Sequence, residues 1–245
     1  MRVTVLELPA TWGDAPAALA RVDALLATAA HGDLVLLPEQ SLTGYVSPQG
    51  SFDTSQFAEP IDGPTARALA EMAKRHAVHL VAPLVLAENG GIYNAALGFA
   101  PDGSLLFTYR KRHPWIPEEW AMPGWQAPPR LSIAGVSLTI CICYDLHFLP
   151  AESADLLAEV DLLLFPSAWV DVHDTRVPTL RKLARRFGVA IANANWGPGV
   201  VRLPGQGGSI ILGPDGAALA EVVSGASSAA ATIGPTSSQI PPIQS

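Results

Sequence analysis

The sequence predicts an α/β protein in which two mixed β-sheets pack face to face and helices cover the outer faces, a four-layer α-β-β-α sandwich. Strand-like and helix-like segments alternate early in the chain, hairpin patterns are inserted later, and several strands are apolar at every position. Such strands need cover on both faces. A single doubly wound sheet would explain only the first half of the chain, so we expect two packed sheets.

The helices are predicted from apolar residues at helical spacing and from the residues that begin them. Asp14 can cap the first helix, and Pro16 suits its first turn. Pro64 opens the second helix in the same way. We expect helices at Pro16–Ala29, Thr65–His76 and Pro178–Phe187.

The strands are predicted from short apolar runs bounded by turn residues, and two Pro-Asp-Gly sequences indicate hairpin turns. We expect strands at Val3–Leu6, Leu34–Leu37, Val78–Leu86, Tyr93–Phe99, Leu105–Arg110, Val136–Cys143, Leu162–Phe165, Val189–Ala194, Ser209–Leu212 and Ala218–Val223. The tail is rich in small residues and contains proline. We therefore expect one domain over residues 1–224 and an extended or disordered arm over residues 225–245.

Composition and charge exclude several classes of function. The 245 residues carry a net charge of −7, whereas nucleic-acid binding needs a basic surface. No stretch of about 18 apolar residues occurs, so we expect no membrane span, and the first residues do not resemble a signal peptide. Cys141 and Cys143 are too close along a strand to bond readily to each other. We therefore expect a cytoplasmic protein without disulfides.

Three segments carry polar side chains where predicted apolar strands end. Glu39 follows Leu36-Leu37-Pro38, Lys111 follows a hairpin strand, and Cys143 ends an apolar run. The carboxyl ends of strands are where α/β sheets bind ligands. Each signal is weak alone, because strand-end acids and cation runs usually face solvent, and a buried cysteine such as Cys141 is usually inert.

Together, the three segments resemble the motifs of the nitrilase superfamily, the carbon–nitrogen hydrolases with a Glu–Lys–Cys catalytic set. The similar segments are Leu37-Pro38-Glu39, Thr43-Gly44-Tyr45, Tyr109–His113, Cys143–Phe148, Phe165–Trp169, Asn193–Asn195 and Gly208–Ile210. They occur in the family's order, and the resemblance covers roughly residues 1–223.

The resemblance implies roles for four side chains. Cys143 would attack the carbonyl carbon of an amide, and Glu39 would take the thiol proton. The ammonium group of Lys111 would stabilise the oxyanion. A second glutamate is implied in the loop that follows, where Glu118 is preferred over the adjacent Glu119.

Further expectations concern the surroundings of this set. The resemblance places Tyr144, through its backbone N–H, and Trp169 at the oxyanion site or the pocket. The loop Trp115–Pro129 contains three tryptophans and would be a lid or pocket wall, or would pack on the core or a second subunit. We expect His113 to be a hydrogen-bonded structural residue. No metal and no organic cofactor are expected.

The implied reaction is hydrolysis of a small linear amide or carbamoyl compound through a thioester, giving an acid and ammonia or amine. A nitrile hydrolase, or a catalytically silent binding protein of the same fold, stays an alternative. The expected partner is a small-molecule amide, with no nucleic acid and no membrane. Members of the family generally pair through surface helices, so the resemblance also implies a homodimer or a higher homo-oligomer.

Overall fold

Two six-stranded sheets form the centre of the computed structural model, which describes residues 1–28, 32–173, 175–223 and 227–235. The first sheet contains β1 (Arg2–Leu6), β2 (Leu34–Leu36), β3 (His79–Glu88), β4 (Gly91–Phe99), β5 (Leu105–Arg110) and β12 (Ser228–Thr232). Its strand order is β12-β1-β2-β3-β4-β5. Strands β1, β2 and β3 are parallel, and antiparallel strands flank them on both sides.

The second sheet has the same plan. It contains β6 (Leu131–Ile133), β7 (Val136–Ile140), β8 (Leu162–Ser167), β9 (Ala190–Asn195), β10 (Ile210–Leu212) and β11 (Ala218–Glu221). Its order is β11-β10-β9-β8-β7-β6, with a parallel centre of β7, β8 and β9 and antiparallel flanks. Both sheets are therefore mixed, as the sequence predicts.

Within the described residues, five α-helices accompany the sheets: α1 (Ala15–Thr28), α2 (Pro64–His76), α3 (Leu149–Glu152), α4 (Ala154–Glu159) and α5 (Arg176–Phe187). The first two pack on the outer face of the first sheet, where Val22 and Leu69 join one apolar cluster with Val35. The longest helix on the second sheet, α5, packs through Leu180 and Leu183. Across the described ranges, no helix combines the length and the apolar character that crossing a membrane requires.

The core lies between the sheets, and strand β2 shows why its residues are apolar at every position. Leu34 and Leu36 belong to the cluster that also contains Ile140 of the second sheet. Val35 points the other way, into the cluster with α1 and α2, since side chains alternate along a strand. The predicted four-layer sandwich is confirmed. Replacing Leu36 by alanine would cost roughly 2–5 kcal/mol, the usual range for a buried leucine.

The predicted strand Val136–Cys143 is shorter than expected. It ends at Ile140, and Cys143 begins a 3₁₀ helix that runs to His147. The apolar run continues past the strand because Cys141 and Ile142 stay buried, and the N–H of Cys141 still donates to the carbonyl of Leu164 at 3.1 Å. This early end lets the chain turn before Cys143.

The tail also differs from the expectation of an arm outside the core. Residues 228–232 are extended, but they form the edge strand β12, antiparallel to β1, with Ala230 opposite Thr4. Ile233 is buried in the core between the sheets. The run Ser-Ala-Ala-Ala-Thr has no aromatic residue and only one β-branched residue, Thr232, so it gives almost no strand signal. The other residues predicted for the arm, 225–226 and 236–245, lie outside the described residues.

Candidate active site

The three side chains singled out from the sequence come together at one end of the two sheets. Glu39 follows β2 and Lys111 follows β5, both in the first sheet, whereas Cys143 follows β7 in the second. The carboxyl ends of these strands converge there, so the site lies where the two sheets meet. Glu39 is 1% exposed and Lys111 is 0% exposed. Two charged groups this deeply buried require partners.

Lys111 finds two carboxylate partners. Its Nζ donates to Oε1 of Glu39 at 2.8 Å and to Oε2 of Glu118 at 2.7 Å. Burial alone would lower the pKa of Lys111, but the charges of Glu118 and Glu39 outweigh burial and raise that pKa. Lys111 is therefore an ammonium ion at neutral pH. Glu119, the alternative second glutamate, is exposed, so the structure brings Glu118 to the lysine.

Both carboxylates also accept hydrogen bonds from uncharged groups. Oε2 of Glu39 accepts from the backbone N–H of Ala168 at 2.9 Å, and Oε2 of Glu118 accepts from the N–H of Trp115 at 2.7 Å. The side chain of Asn94 donates to Glu39 at 2.7 Å and to Glu118 at 2.9 Å. Burial nevertheless raises the pKa of Glu118, although Lys111 opposes this effect.

Cys143 occupies a strained position at the first residue of its 3₁₀ helix. Its φ is 46°, a left-handed conformation that costs a non-glycine residue roughly 1–2 kcal/mol and that is often found at functional sites. The residue is 7% exposed. Burial raises the pKa of its thiol well above the ordinary value, and the charge of Glu39 adds to this while Lys111 opposes it. Cys143 therefore rests as a thiol and needs a base to become a nucleophile.

Asp145 connects the turn of Cys143 to the segment that carries Lys111. Its Oδ2 accepts from the hydroxyl of Tyr109 at 2.8 Å and from the N–H of Ile142 at 3.1 Å. Its Oδ1 accepts from the N–H of His113 at 2.8 Å and from that of Arg112 at 3.1 Å. Burial raises the pKa of this carboxyl, but four donors surround it. The carboxylate therefore holds the two segments together.

A small cavity of about 80 Å³ opens above the thiol. Its walls are mostly aromatic: it is lined by Tyr45, Trp115, Cys143, Tyr144, His147, Ala168, Trp169 and Val170. The rings of Tyr45 and Trp115 stack with centroids 6.4 Å apart. Both Tyr144 and Trp169, expected near the site, therefore border the cavity. Its size suits a substrate of a few heavy atoms.

The loop Trp115–Pro129, which contains three tryptophans, both lines the cavity and packs on the rest of the protein. Trp115 is a wall of the cavity. Trp120 packs instead on a neighbouring loop, where its Nε1 donates to the carbonyl of Phe52 at 2.8 Å. Trp125 is 58% exposed and stacks on the guanidinium of Arg110 at 4.7 Å. Of the three tryptophans, Trp115 alone lines this cavity.

The structure also shows the surroundings of His113 and two site residues to which the sequence assigned no role. His113 is a structural residue, since its Nε2 lies 3.0 Å from a carboxylate oxygen of Glu152 and its ring stacks on Phe148. Sequence reasoning gave no role to Tyr45 or Asn94, although an asparagine inside the apolar run of β4 is a signal in itself. In the described part of the chain no three histidine, cysteine or carboxylate side chains cluster as metal ligands would.

The fold and this site define a class of enzyme. The chain matches the carbon–nitrogen hydrolase family over residues 2–232 and belongs to that family. It is a hydrolase of carbon–nitrogen bonds other than peptide bonds. An (R)-stereoselective amidase from Pseudomonas sp. is 29% identical, over 90% of this chain and 80% of that protein. An omega-amidase from Danio rerio is 34% identical over 56% of this chain and 51% of that protein.

Solved structures agree with the sequence comparisons. An amidase of the nitrilase superfamily from Nesterenkonia sp. AN1 superimposes with a TM-score of 0.81 and 28% identity, covering 94% of this chain and 90% of that one. Structures of that amidase include adducts at its active-site cysteine, formed with acrylamide and with fluoroacetamide. The predicted superfamily is confirmed, and these relatives support cysteine-dependent amide hydrolysis as the activity.

Proposed function

We propose that this enzyme hydrolyses short, uncharged aliphatic amides, with Cys143 as nucleophile, Glu39 as general base and Lys111 as oxyanion donor. The observation that carries the proposal is the ammonium group of Lys111, buried between two carboxylates and next to the thiol of Cys143. Acyl transfer to sulfur needs a base, a cation and a nucleophile in one dry site.

Acylation follows from the positions of these groups. Glu39 takes the thiol proton of Cys143, and the sulfur attacks the carbonyl carbon of the amide. The negative oxygen that forms accepts hydrogen bonds from Lys111 and from the backbone N–H of Tyr144, which has no partner within the described residues. When the tetrahedral intermediate collapses, the proton on Glu39 moves to the departing nitrogen. Ammonia or an amine leaves, and a thioester remains on the sulfur.

Deacylation uses the same groups in a second cycle. Glu39, again a carboxylate, takes a proton from water, and the resulting hydroxide attacks the thioester carbon. The second oxyanion occupies the same site beside Lys111. Collapse expels the sulfur of Cys143, which recovers the proton, and the carboxylic acid leaves.

Chain spacing supports these assignments. In the Nesterenkonia amidase the exchanged glutamate and cysteine are 104 positions apart, which equals the separation of Glu39 and Cys143 (143 − 39 = 104). That amidase has also been solved with butyramide bound after its cysteine was replaced by alanine. A short acyl chain of this kind suits a cavity of about 80 Å³.

The cavity walls favour an uncharged acyl group. Among the lining residues, all within the described chain, there is no lysine, arginine, aspartate or glutamate. A carboxylate entering such an aromatic pocket would lose its hydration without gaining a cation, at a cost of several kcal/mol. We therefore expect simple amides to react better than ω-amides of dicarboxylic acids or carbamoyl amino acids.

Ammonia release tests the proposal. Butyramide is compared with the monoamide of a four-carbon dicarboxylic acid, which has the same chain length and an added carboxylate, and with butyronitrile. We expect kcat/KM to be at least tenfold higher for butyramide than for either. Preference for the carboxylated amide would overturn the substrate class, and preference for the nitrile would favour the alternative of a nitrile hydrolase.

Oligomeric state stays a prediction, which light scattering of the purified protein measures directly.

A further inference from the structure

We propose that Asn94 is a positioning residue that keeps Glu39 and Glu118 ionised together, through hydrogen bonds from its side-chain amide to both. This inference rests on the proposed function of Glu39 as the base. Asn94 lies on β4 and touches neither the cavity nor the thiol among the contacts described. It therefore acts through the two carboxylates.

The geometry is a closed ring of four buried side chains. Nδ2 of Asn94 donates to Oε1 of Glu39 at 2.7 Å and to Oε1 of Glu118 at 2.9 Å. Nζ of Lys111 closes the ring from the other side at 2.8 and 2.7 Å. An amide nitrogen has two hydrogens, so Asn94 has one for each carboxylate. The ring therefore fixes the distance between the two acids.

Charge makes the amide donors important. Besides the neutral hydroxyl of Tyr45 and the neutral thiol of Cys143, two carboxylates and one ammonium face each other in this buried site, with a net charge of −1. Like charges favour protonation of one acid. Hydrogen bonds to the ionised form oppose this. If the donors of Asn94 are lost, one acid takes up a proton at a higher pH than before. A protonated Glu39 cannot accept the proton of Cys143, so the reaction slows.

The side-chain oxygen of Asn94, Oδ1, distinguishes a donor role from ordinary packing. Oδ1 is buried and has no hydrogen-bond partner in the structure, so the side chain works here only as a donor. The backbone is held independently, because the carbonyl of Asn94 accepts from the N–H of Lys111 at 2.8 Å. A substitution can therefore change the donors while the strand pairing stays in place. Aspartate has nearly the same shape but replaces the donors by a third acid.

The experiment compares Asn94→Asp with Asn94→Leu, which removes the donors without adding charge. Butyramide hydrolysis is measured from pH 5 to pH 9. We expect kcat to fall at least tenfold at pH 7 in both variants, and further in Asn94→Asp, while KM changes less than threefold. The acid limb of kcat, which reports the base in the enzyme–substrate complex, should move up by about one pH unit.

The matched control is Asn193→Leu. Asn193 is also a fully buried asparagine on a central strand, and its Nδ2 donates to Phe165 and Ser167 at 2.8 and 2.9 Å. Its loss should lower the melting temperature but leave the acid limb unmoved. An acid limb that stays in place in the Asn94 variants, or a fall that is equal in Asn94→Asp and Asn94→Leu, would overturn the inference.

Two further measurements test the role of Asn94 if a variant does not fold or if the wild-type protein hydrolyses no amide. If Asn94→Leu does not fold, Asn94→Ser keeps one donor and is expected to show an intermediate shift of the acid limb; no shift would count against the inference. Wild-type protein that hydrolyses no amide would defeat the proposed function instead. The rate at which fluoroacetamide alkylates Cys143 is then followed against pH, because this reaction needs the base but no amide turnover. Its acid limb should shift in the same direction in the Asn94 variants, and an unchanged limb would refute the role of Asn94.

Discussion

The carboxylate of Asp145 accepts a hydrogen bond of 2.8 Å from the backbone N–H of His113, although 32 residues separate them in the chain. Asp145 lies in the 3₁₀ helix that begins at Cys143, and His113 lies two positions after Lys111. A single buried carboxylate therefore sets the distance between the thiol-bearing segment and the ammonium-bearing segment. The precision of the site depends on contacts of this kind, which the chemistry itself does not use.

Asp145→Asn tests this connection. In this variant an NH₂ group replaces one of the two carboxylate oxygens of residue 145. At least one of the buried N–H or O–H groups that donate to Asp145 would then face another donor and lose its hydrogen-bond partner. We expect the free energy of unfolding to fall by about 3 kcal/mol, within the range for buried hydrogen bonds to a charged group, and kcat to fall with it. Urea unfolding measures the first. Asp155→Asn, at an exposed position, is the control and should change stability by less than about 0.5 kcal/mol.

Cys143→Ala should abolish amide hydrolysis while the protein stays folded, because no other group near the cavity can form the thioester. Cys141→Ala is the matched control: its thiol is fully buried two residues away and has no access to substrate. We expect that variant to keep its turnover and to lose roughly 1 kcal/mol of stability, a typical cost of a single substitution. Ammonia release and thermal unfolding check both. Hydrolysis retained by Cys143→Ala would disprove the thioester mechanism.

Lys111→Met should remove the oxyanion donor and leave two buried acids without a cation. We expect kcat to fall by a factor of about 10²–10³ and stability to fall by about 3–5 kcal/mol at pH 8. Lys182→Met, at an exposed position of α5, should have neither effect. Activity close to that of the wild type would exclude Lys111 from the oxyanion site.

The pH dependence of that variant has a definite sign. Burial already raises the pKa of Glu118, and losing Lys111 raises it further. The folded state then binds more protons than the unfolded state, so stability rises as pH falls from 8 towards 5. Urea unfolding at several pH values measures this slope. A stability that instead increases with pH would show that these acids are not buried as a pair.

Trp115→Ala should widen the cavity and change which amide reacts best. The indole of Trp115 stacks on Tyr45 and forms one wall. We expect the ratio of kcat/KM for hexanamide to that for butyramide to rise at least tenfold, since each methylene in a fitted pocket is worth about 1–3 kcal/mol. Trp125→Ala, at an exposed position outside the cavity, is the control and should leave the ratio unchanged. An equal ratio in both variants would remove Trp115 from the acyl pocket.

Local motifs were sufficient to single out Glu39, Lys111 and Cys143 as neighbours in one site, because each lies at a strand end in a short segment of recognisable residues. They preferred Glu118 to Glu119 but left both open, since the adjacent side chains differ only in the direction in which the loop points them. Strand β12 was missed for a related reason. Small residues are compatible with an edge strand, and only the partner strand β1 decides that they form one.

The sequence by itself determined the alternation of strands and helices, the two-sided burial of the strands and which three side chains we propose for catalysis. These properties depend on residues close together in the chain. Only the tertiary structure decided that Asn94 would join Glu39 to Glu118 and that Asp145 would hold the nucleophile near the lysine. Hydrogen bonds between residues 24 to 55 positions apart require the strands to pair in one register, and no local pattern encodes that distance.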